Sequence, residues 1–253
     1  MDLHVFTPLA IAIICLAFYM GGLAKGATGI GLPLIAVPIA AVVVPPTSAI
    51  ALMAGPIIAS NIWMVLSSRQ TPAMARRFWP LLVLSVPACV AGSLALVSIP
   101  VQALMVWLGA MVLAIVALQV FPVKLVIPPR HEKLASGITG VIAGGLQGLS
   151  GFSGPAFSVF LLSVKADKDT FAVAISLFFL VSGLPLFFVL SADGILGGTE
   201  WVVSALLTLP VLIGVWSGQF LRSRLSPDIF RRVLLAMLIA IGLQLMGKGL
   251  GLY

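Results

Sequence analysis

The chain has 253 residues, of which 61% are hydrophobic and only 8% are charged. Soluble domains carry about 25% charged residues, so this composition excludes a soluble protein and predicts an all-α polytopic membrane protein. The net charge of +7 does not indicate nucleic-acid binding, because the basic residues lie in short connections between apolar segments.

Ten apolar segments follow one another along the chain, separated by polar or Pro- and Gly-rich stretches. Their approximate bounds are 5–24, 32–44, 47–68, 79–97, 101–123, 134–146, 155–164, 170–190, 201–221 and 229–247. A spanning helix needs about 20 residues, and three segments, 32–44, 134–146 and 155–164, are much shorter. We predict that these three are half-helices about 15–20 Å long. The chain then has 8 to 10 membrane segments, comprising six full spans and two re-entrant or broken-helix hairpins.

The basic residues predict the orientation of these segments. All Lys and Arg residues except Lys248 fall in the odd-numbered connections, whereas the even connection 191–200 is acidic. Cytoplasmic loops carry an excess of Lys and Arg, so we expect the odd connections in the cytoplasm and both termini outside. The predicted location is the bacterial cytoplasmic membrane, with lipid around a multi-pass chain.

Glycines and prolines repeat along the chain at an offset of 122 residues. The matched pairs are Gly22 and Gly144, Gly26 and Gly148, Gly29 and Gly151, Pro33 and Pro155, and Trp79 and Trp201. We interpret residues 1–123 as a first repeat, 124–133 as a cytoplasmic linker and 134–253 as a second repeat. Each repeat holds five segments, an odd number, so the second is inverted relative to the first. Inverted repeats with broken helices are typical of secondary transporters that bind substrate near the midplane.

Two polar, glycine-rich stretches, "GGLAKGATGIGLP" at 21–33 and "GGLQGLSGFSGP" at 144–155, lie at matching positions of the two repeats. We expect them to be the irregular tips of two opposed hairpins, because such backbone survives in a membrane only inside protein or beside a water-filled path. Pro33 and Pro155 suit the first turn of the returning helices, whose free N–H groups attract anions. With no acidic residue nearby, the tips predict a site for a small oxyanion. The candidate substrate-binding residues are Lys25, Gly26, Thr28, Gly29, Gly31, Asn61, Gln147, Gly148, Ser150, Gly151, Ser153 and Gly154.

Other interpretations of these residues stay open. Glycines in membrane helices often serve close helix packing, Lys25 is also suited to anchoring at the interface, and Asn61 is equally suited to a helix–helix hydrogen bond. "GLSG" at 148–151 fits the nucleophile motif of rhomboid intramembrane proteases, but no histidine follows Ser150 to act as its base. We therefore expect no enzyme activity, no cofactor and no metal.

The chain resembles the sulfite exporter TauE/SafE family of bacterial membrane permeases. The resemblance rests on the two glycine-rich stretches and on "LPVLIGVWSGQFLRSRLSPDIFRRVLLAMLIAIG" at 209–242. It implies transport of sulfite, sulfoacetate or another organosulfonate through Gly26, Thr28, Gly29 and Gly31 and, in the second half, Gly148, Ser150, Gly151 and Gly154. Without intramembrane carboxylates for a proton relay, export by alternating access is favoured. An anion channel with the tips as its constriction is the alternative, and a purely structural membrane protein is a third possibility.

Overall fold

The computed structural model describes residues 7–28, 31–120, 126–222 and 227–252. Within these ranges every regular element is a helix, which confirms the predicted all-α class. A short 3-10 helix lies at Pro129–His131, and the α-helices of the described ranges are α1 Pro8–Thr28, α2 Leu32–Ala40, α3 Pro46–Ala51, α4 Ala54–Ser67, α5 Thr71–Arg77, α6 Trp79–Ser98, α7 Val101–Val120, α8 Glu132–Ser150, α9 Gly154–Ser163, α10 Lys168–Ala192, α11 Gly198–Arg222 and α12 Pro227–Gly249.

Six stretches of the described chain are long and apolar enough to cross a membrane. They are Pro8–Gly26, Pro46–Ser67, Trp79–Ser98, Val101–Val120, Thr170–Ala192 and Gly198–Phe220. Large apolar side chains on α11 are exposed, among them Leu206, Leu209 and Trp216. Exposed side chains of this size are suited to lipid contact, so the structure agrees with a multi-pass membrane protein.

The helices on either side of the two predicted tips are longer than the sequence suggested. The segment predicted as 134–146 is α8, whose 19 residues measure about 28 Å and include most of the second glycine-rich stretch. Similarly, α1 continues to Thr28 and includes most of the first stretch. The predicted tips are therefore wrong in extent, because glycines that were interpreted as loop residues lie inside helices. The returning helices α2 and α9 are short, as expected, with 9 and 10 residues.

Three smaller features also differ from the expected segments. The segment predicted as 47–68 is divided into α3 and α4, and the hydroxyl of Ser204 donates a 2.8 Å hydrogen bond to the carbonyl of Leu52 at this division. The connection 69–79 contains α5, which the sequence pattern did not indicate. Glu200, expected in a loop, lies in the first turn of α11 and accepts a 3.1 Å hydrogen bond from the Gly197 N–H.

The described helices form two compact units, each containing helices from both halves of the sequence. The first unit comprises α1, α2, α3, α7, α11 and α12. In this unit α1 packs against α11 and α2, and α7 packs against α12. At the C-terminal end of α2, the ammonium group of Lys248 donates a 2.8 Å hydrogen bond to the carbonyl of Val42. A cation at this position complements the negative end of a helix dipole and fixes the end of α2.

The second unit comprises α4, α5, α6, α8, α9 and α10. Its most extensive helix packing is between α6 and α8. Helices α4, α6 and α9 all pack against α10. Beneath α9, the ring of Phe157 stacks on that of Phe178 at 4.8 Å, and Phe160 meets Phe78 edge to face at 5.7 Å. These buried rings fix α9 against α10 and the start of α6. The C-terminal end of α9 is held by the Ile127 N–H, which donates to the carbonyl of Ser163 at 3.0 Å.

Candidate functional site

The first helix break lies between α1 and α2, in the first unit. Gly31 is the N-cap of α2, with a φ of 124° that L-residues with a side chain rarely adopt. No side chain caps this helix, and Pro33 lies in its first turn, as the sequence predicted. Of the other candidates, Gly29 lies outside the described residues and Thr28 is the last residue of α1.

Lys25 is the candidate cation of this break. It lies in the last turn of α1, one turn before the helix ends, and its side chain is partly exposed. A basic residue there complements the negative end of the α1 dipole. The location is therefore compatible with both interpretations that the sequence left open, an anchor and a substrate ligand.

The second break lies between α8 and α9, in the second unit. Gly151 follows the last residue of α8 in the left-handed conformation, with φ 75°, and its N–H donates a 2.8 Å hydrogen bond to the carbonyl of Gln147. Ser153 is the N-cap of α9, and Pro155 lies in the first turn of that helix. Glycine is suited to this C-terminal position because it adopts the left-handed conformation at no steric cost. The break is thus only three residues long, from Gly151 to Ser153.

Polar side chains around the second break bond to one another and to the backbone. The hydroxyl of Ser153 donates to Gln147 Oε1 at 3.0 Å, and Gln147 Nε2 donates to the carbonyl of Gly151 at 3.2 Å. The hydroxyl of Ser150 lies 2.6 Å from the carbonyl of Leu146, within its own helix. All three side chains are buried. Gln147 and Ser153 therefore fix the shape of the break, and neither hydroxyl contacts a histidine that could activate it.

A consequence of this bonding is that α9 begins without a side-chain cap. Ser153 is a residue type that commonly caps a helix, but its hydroxyl is directed to Gln147. The first N–H groups of a helix have no partner within the helix, and they carry the positive end of its dipole. Helices α2 and α9 therefore both begin with uncapped N–H groups beside a buried glycine, Gly31 or Gly154. Groups of this kind bind oxyanions.

Two of the candidate glycines have a different environment. A methyl group at Gly26 would collide with the backbone of Val215 in α11, and one at Gly148 would collide with the backbone of Cys89 in α6. The side of each glycine where a side chain would be is thus occupied by a neighbouring helix. Close helix packing, the alternative that the sequence left open, accounts for Gly26 and Gly148, and their role as substrate ligands stays a prediction.

Asn61, the remaining candidate, lies in the interior of α4. It is buried, and its Nδ2 donates a 2.8 Å hydrogen bond to the carbonyl of Ile57 one turn earlier. The structure places it in the same unit as the second break. One of its donors is therefore used within its own helix, and both interpretations of Asn61, as a helix–helix contact and as a substrate ligand, stay predictions.

The sequence did not indicate two residues that brace the helices leading to the breaks. The thiol of Cys89 donates to the carbonyl of Ser182 at 2.9 Å and thereby joins α6 to α10 beneath Gly148. Lys248 holds the far end of α2. In the sequence, Lys248 is the one basic residue outside the topology pattern, and Cys89 lies within an apolar segment. Hydropathy alone does not distinguish such residues from ordinary ones, because both bonds join positions more than 90 residues apart.

Residues 13–245 match the family described as Sulfite exporter TauE/SafE. The chain belongs to the TauE/SafE family. Membership implies a membrane transporter of sulfite-type anions, in agreement with the resemblance noted in the sequence, and it is consistent with a protein that is not an enzyme. No curated protein matches the chain, and no solved structure matches it either.

Proposed function

We propose that this TauE/SafE member is a secondary transporter that exports sulfite, sulfoacetate or another organosulfonate by alternating access. The observation that carries the proposal is the pair of uncapped helix N-termini at Gly31 and Ser153, each following a break that contains no acidic residue in its described part. Such N–H groups supply partial positive charge without adding a titratable group. A sulfonate or sulfite presents three oxygens that can accept from them.

An inverted repeat would support alternating access, and the helix contacts favour the presence of such a repeat. At the offset of 122 residues α1 corresponds to α8, and α6 corresponds to α11. Helix α1 packs on α11, and helix α8 packs on α6, so the two contacts are counterparts. Glycines form both: Gly22 faces α11 and Gly214 faces α1, while Gly144 faces α6 and Gly92 faces α8. Matching contacts between matching helices are what two related repeats would produce.

The proposed substrate ligands are the backbone N–H groups around Gly31, Gly151 and Gly154, with Lys25 and Thr28 as further candidates. The orientation that we propose has both termini outside and the basic connections in the cytoplasm. Export of an anion then follows the membrane potential, gaining about 2.3 kcal/mol per charge at 100 mV. That two breaks serve one path stays a prediction.

Substitution at Ser153 separates anion binding from helix stability. Aspartate and asparagine are both good N-caps, so Ser153→Asp and Ser153→Asn should each cap α9 and lose the bond to Gln147. Only aspartate places a negative charge where the substrate anion would bind. We expect Ser153→Asp to abolish sulfite counterflow in proteoliposomes, while Ser153→Asn retains saturable counterflow. Equal activity of the two variants would refute an anion site at this helix N-terminus.

The same proteoliposomes distinguish a carrier from the alternative, an anion channel. A carrier exchanges external labelled sulfite for internal unlabelled sulfite and saturates, whereas a channel dissipates the gradient without counterflow. A thermal-shift screen with sulfite, sulfate, sulfoacetate, taurine and small carboxylates then orders the substrates. We expect the organosulfonates and sulfite to stabilise the protein most. If small carboxylates alone stabilise it, the assignment to sulfur oxyanions is wrong.

A further inference from the structure

Helix α5 connects two stretches that are long and apolar enough to cross a membrane, so we expect it at the level of the lipid headgroups. It begins four residues after the apolar stretch that ends at Ser67 and finishes two residues before the stretch that begins at Trp79. The hydroxyl of Thr71 donates a 2.7 Å hydrogen bond to the carbonyl of Val65, which holds α5 against the end of α4. Trp79 is half exposed, as tryptophans at a membrane–water interface commonly are. Any cavity beside α5 is therefore accessible from the membrane surface.

An open cavity of about 610 Å³ lies against this helix. It is lined by Pro72, Ala73, Arg76 and Arg77. Pockets for small molecules measure about 300–1,000 Å³. The lining offers two guanidinium groups and two small apolar side chains, and among the residues that the structure describes it contains no carboxylate. This combination matches an anionic group that is attached to an apolar body.

The two arginines of the cavity have different partners. Arg77 Nε donates to Glu132 Oε1 at 2.6 Å and Arg77 Nη2 donates to Glu132 Oε2 at 3.1 Å, while the guanidinium lies 4.9 Å from the ring centre of Phe78. The hydrogen bonds to Glu132 raise the pKa of the Arg77 guanidinium. A guanidinium has five N–H donors, so Arg77 keeps three after this pairing. Glu132 fixes its orientation and neutralises its charge.

Arg76 supplies the charge that is not neutralised. It is exposed, and within the described part of the chain no carboxylate lies in ion-pair contact with it. Its neighbour Arg77 is already paired with Glu132. Arg76 is thus the guanidinium of the lining that has no ion pair in the described part of the chain, while Arg77, on which Asp167 also acts electrostatically, contributes its remaining donors. Guanidinium groups form bidentate hydrogen bonds with phosphate oxygens.

We propose that this cavity binds the headgroup phosphate of an anionic membrane lipid. Arg76 is the principal phosphate ligand, Arg77 is a second donor held in place by Glu132, and Pro72 and Ala73 contact the apolar part of the lipid. The lipid is the favoured source of phosphate because we expect α5 at headgroup depth between two spanning stretches. The site is separate from the helix breaks and does not depend on the proposed transport function.

Lipid retention measured by native mass spectrometry tests this site. The full-length protein is reconstituted with equal amounts of phosphatidylglycerol and phosphatidylcholine, and the bound lipids are counted after extraction into detergent. Arg76→Gln is compared with Arg69→Gln, which removes the same charge from the same connection at a residue that does not line the cavity. One basic residue near an anionic surface contributes about 1 kcal/mol, which corresponds to an approximately fivefold change in binding. We expect Arg76→Gln to lose phosphatidylglycerol retention by clearly more than this fivefold surface-charge effect, and Arg69→Gln to lose at most about fivefold.

Each outcome bears on the proposal. If both variants lose retention equally, general surface charge explains the binding and the site is wrong. If neither loses it, the site is also wrong. Arg76→Lys keeps the charge but not the planar fork, and it should retain an intermediate amount of lipid. Inorganic phosphate is added to protein in pure phosphatidylcholine as a separate arm. Arg76-dependent stabilisation by free phosphate alone would overturn the assignment to a lipid.

Discussion

Replacement of Gly151 by alanine tests whether the second helix break acts in transport. Gly151 ends α8 with φ 75°, donates to the carbonyl of Gln147 and accepts a hydrogen bond from the Gln147 side chain. Alanine in the left-handed conformation costs about 1–2 kcal/mol. A backbone rearrangement that avoids this cost would break one or both hydrogen bonds, each contributing about 1 kcal/mol. In either case the native position of the start of α9 becomes less favourable in free energy than in the wild-type protein.

The loop that follows α10 provides a matched control. Gly194 has φ 76°, nearly the value of Gly151, and a Cβ at this position would meet no atom within 4 Å. Gly194→Ala and Gly151→Ala should therefore lose similar free energies of unfolding. A change of 1 kcal/mol shifts the unfolding temperature of a chain of this size by about 2–4 °C. We expect both variants to unfold about 2–8 °C below the wild-type protein.

Transport should distinguish the two variants. If the break positions anion-binding N–H groups, a distortion of 1–2 kcal/mol lowers apparent sulfite affinity about 5- to 30-fold in Gly151→Ala only. The assay is counterflow of labelled sulfite in proteoliposomes containing equal amounts of folded protein. Gly151→Asn should recover much of the affinity, because asparagine tolerates the left-handed conformation. If Gly151→Ala transports as well as Gly194→Ala, the break has only a structural role and our reasoning is refuted.

Three further predictions concern contacts inside each of the two units. Gly148→Ala should lower the free energy of unfolding by about 1–3 kcal/mol because α6 must move, whereas Gly145→Ala, whose Cβ would lie 4.0 Å from the nearest atom, should be neutral or stabilising in thermal unfolding. Lys248→Met should cost about 1–2 kcal/mol and raise the KM for sulfite, and Lys248→Arg should restore both. Arg77→Glu should lower the free energy of unfolding by less than about 1 kcal/mol, because the ion pair with Glu132 is partly exposed. Adding Glu132→Arg should recover this loss in thermal unfolding. If it does not, the ion pair is dispensable.

The helical class, the positions of the two breaks and the first-turn prolines could be predicted from the sequence. Hydropathy and length determine spans, and a proline after glycines marks the start of a helix at Pro33 and at Pro155. The extent of the breaks could not be predicted. Glycine has the same low helix propensity whether it opens a loop or lets two helices approach, so Gly26 and Gly148 resembled loop residues until their neighbours were known.

The remaining site features depend on contacts between distant parts of the chain. Whether Ser153 caps α9 or bonds to Gln147 is decided by the shape of the turn at Gly151, and both arrangements use the same residues. The pairing of Arg77 with Glu132 joins positions 55 residues apart, and the count of Lys and Arg residues assigned Arg77 only to topology. Local patterns therefore located the breaks, while long-range packing determined which groups at each break are already bonded.

The first helix of each half of the sequence packs on a helix of the other half, which explains why so many glycines lie away from the breaks. Helix α1 packs closely on α11 at Gly22 and Gly26, and α8 packs closely on α6 at Gly144 and Gly148. Because lipid is as apolar as leucine, such helices associate through close backbone packing rather than through a hydrophobic driving force. Each half of the chain thus supplies the partner of the other half's first helix. The glycine-rich stretches consequently combine helix packing in their first part with a short break at their end, and it is at the break that we propose the anion binds.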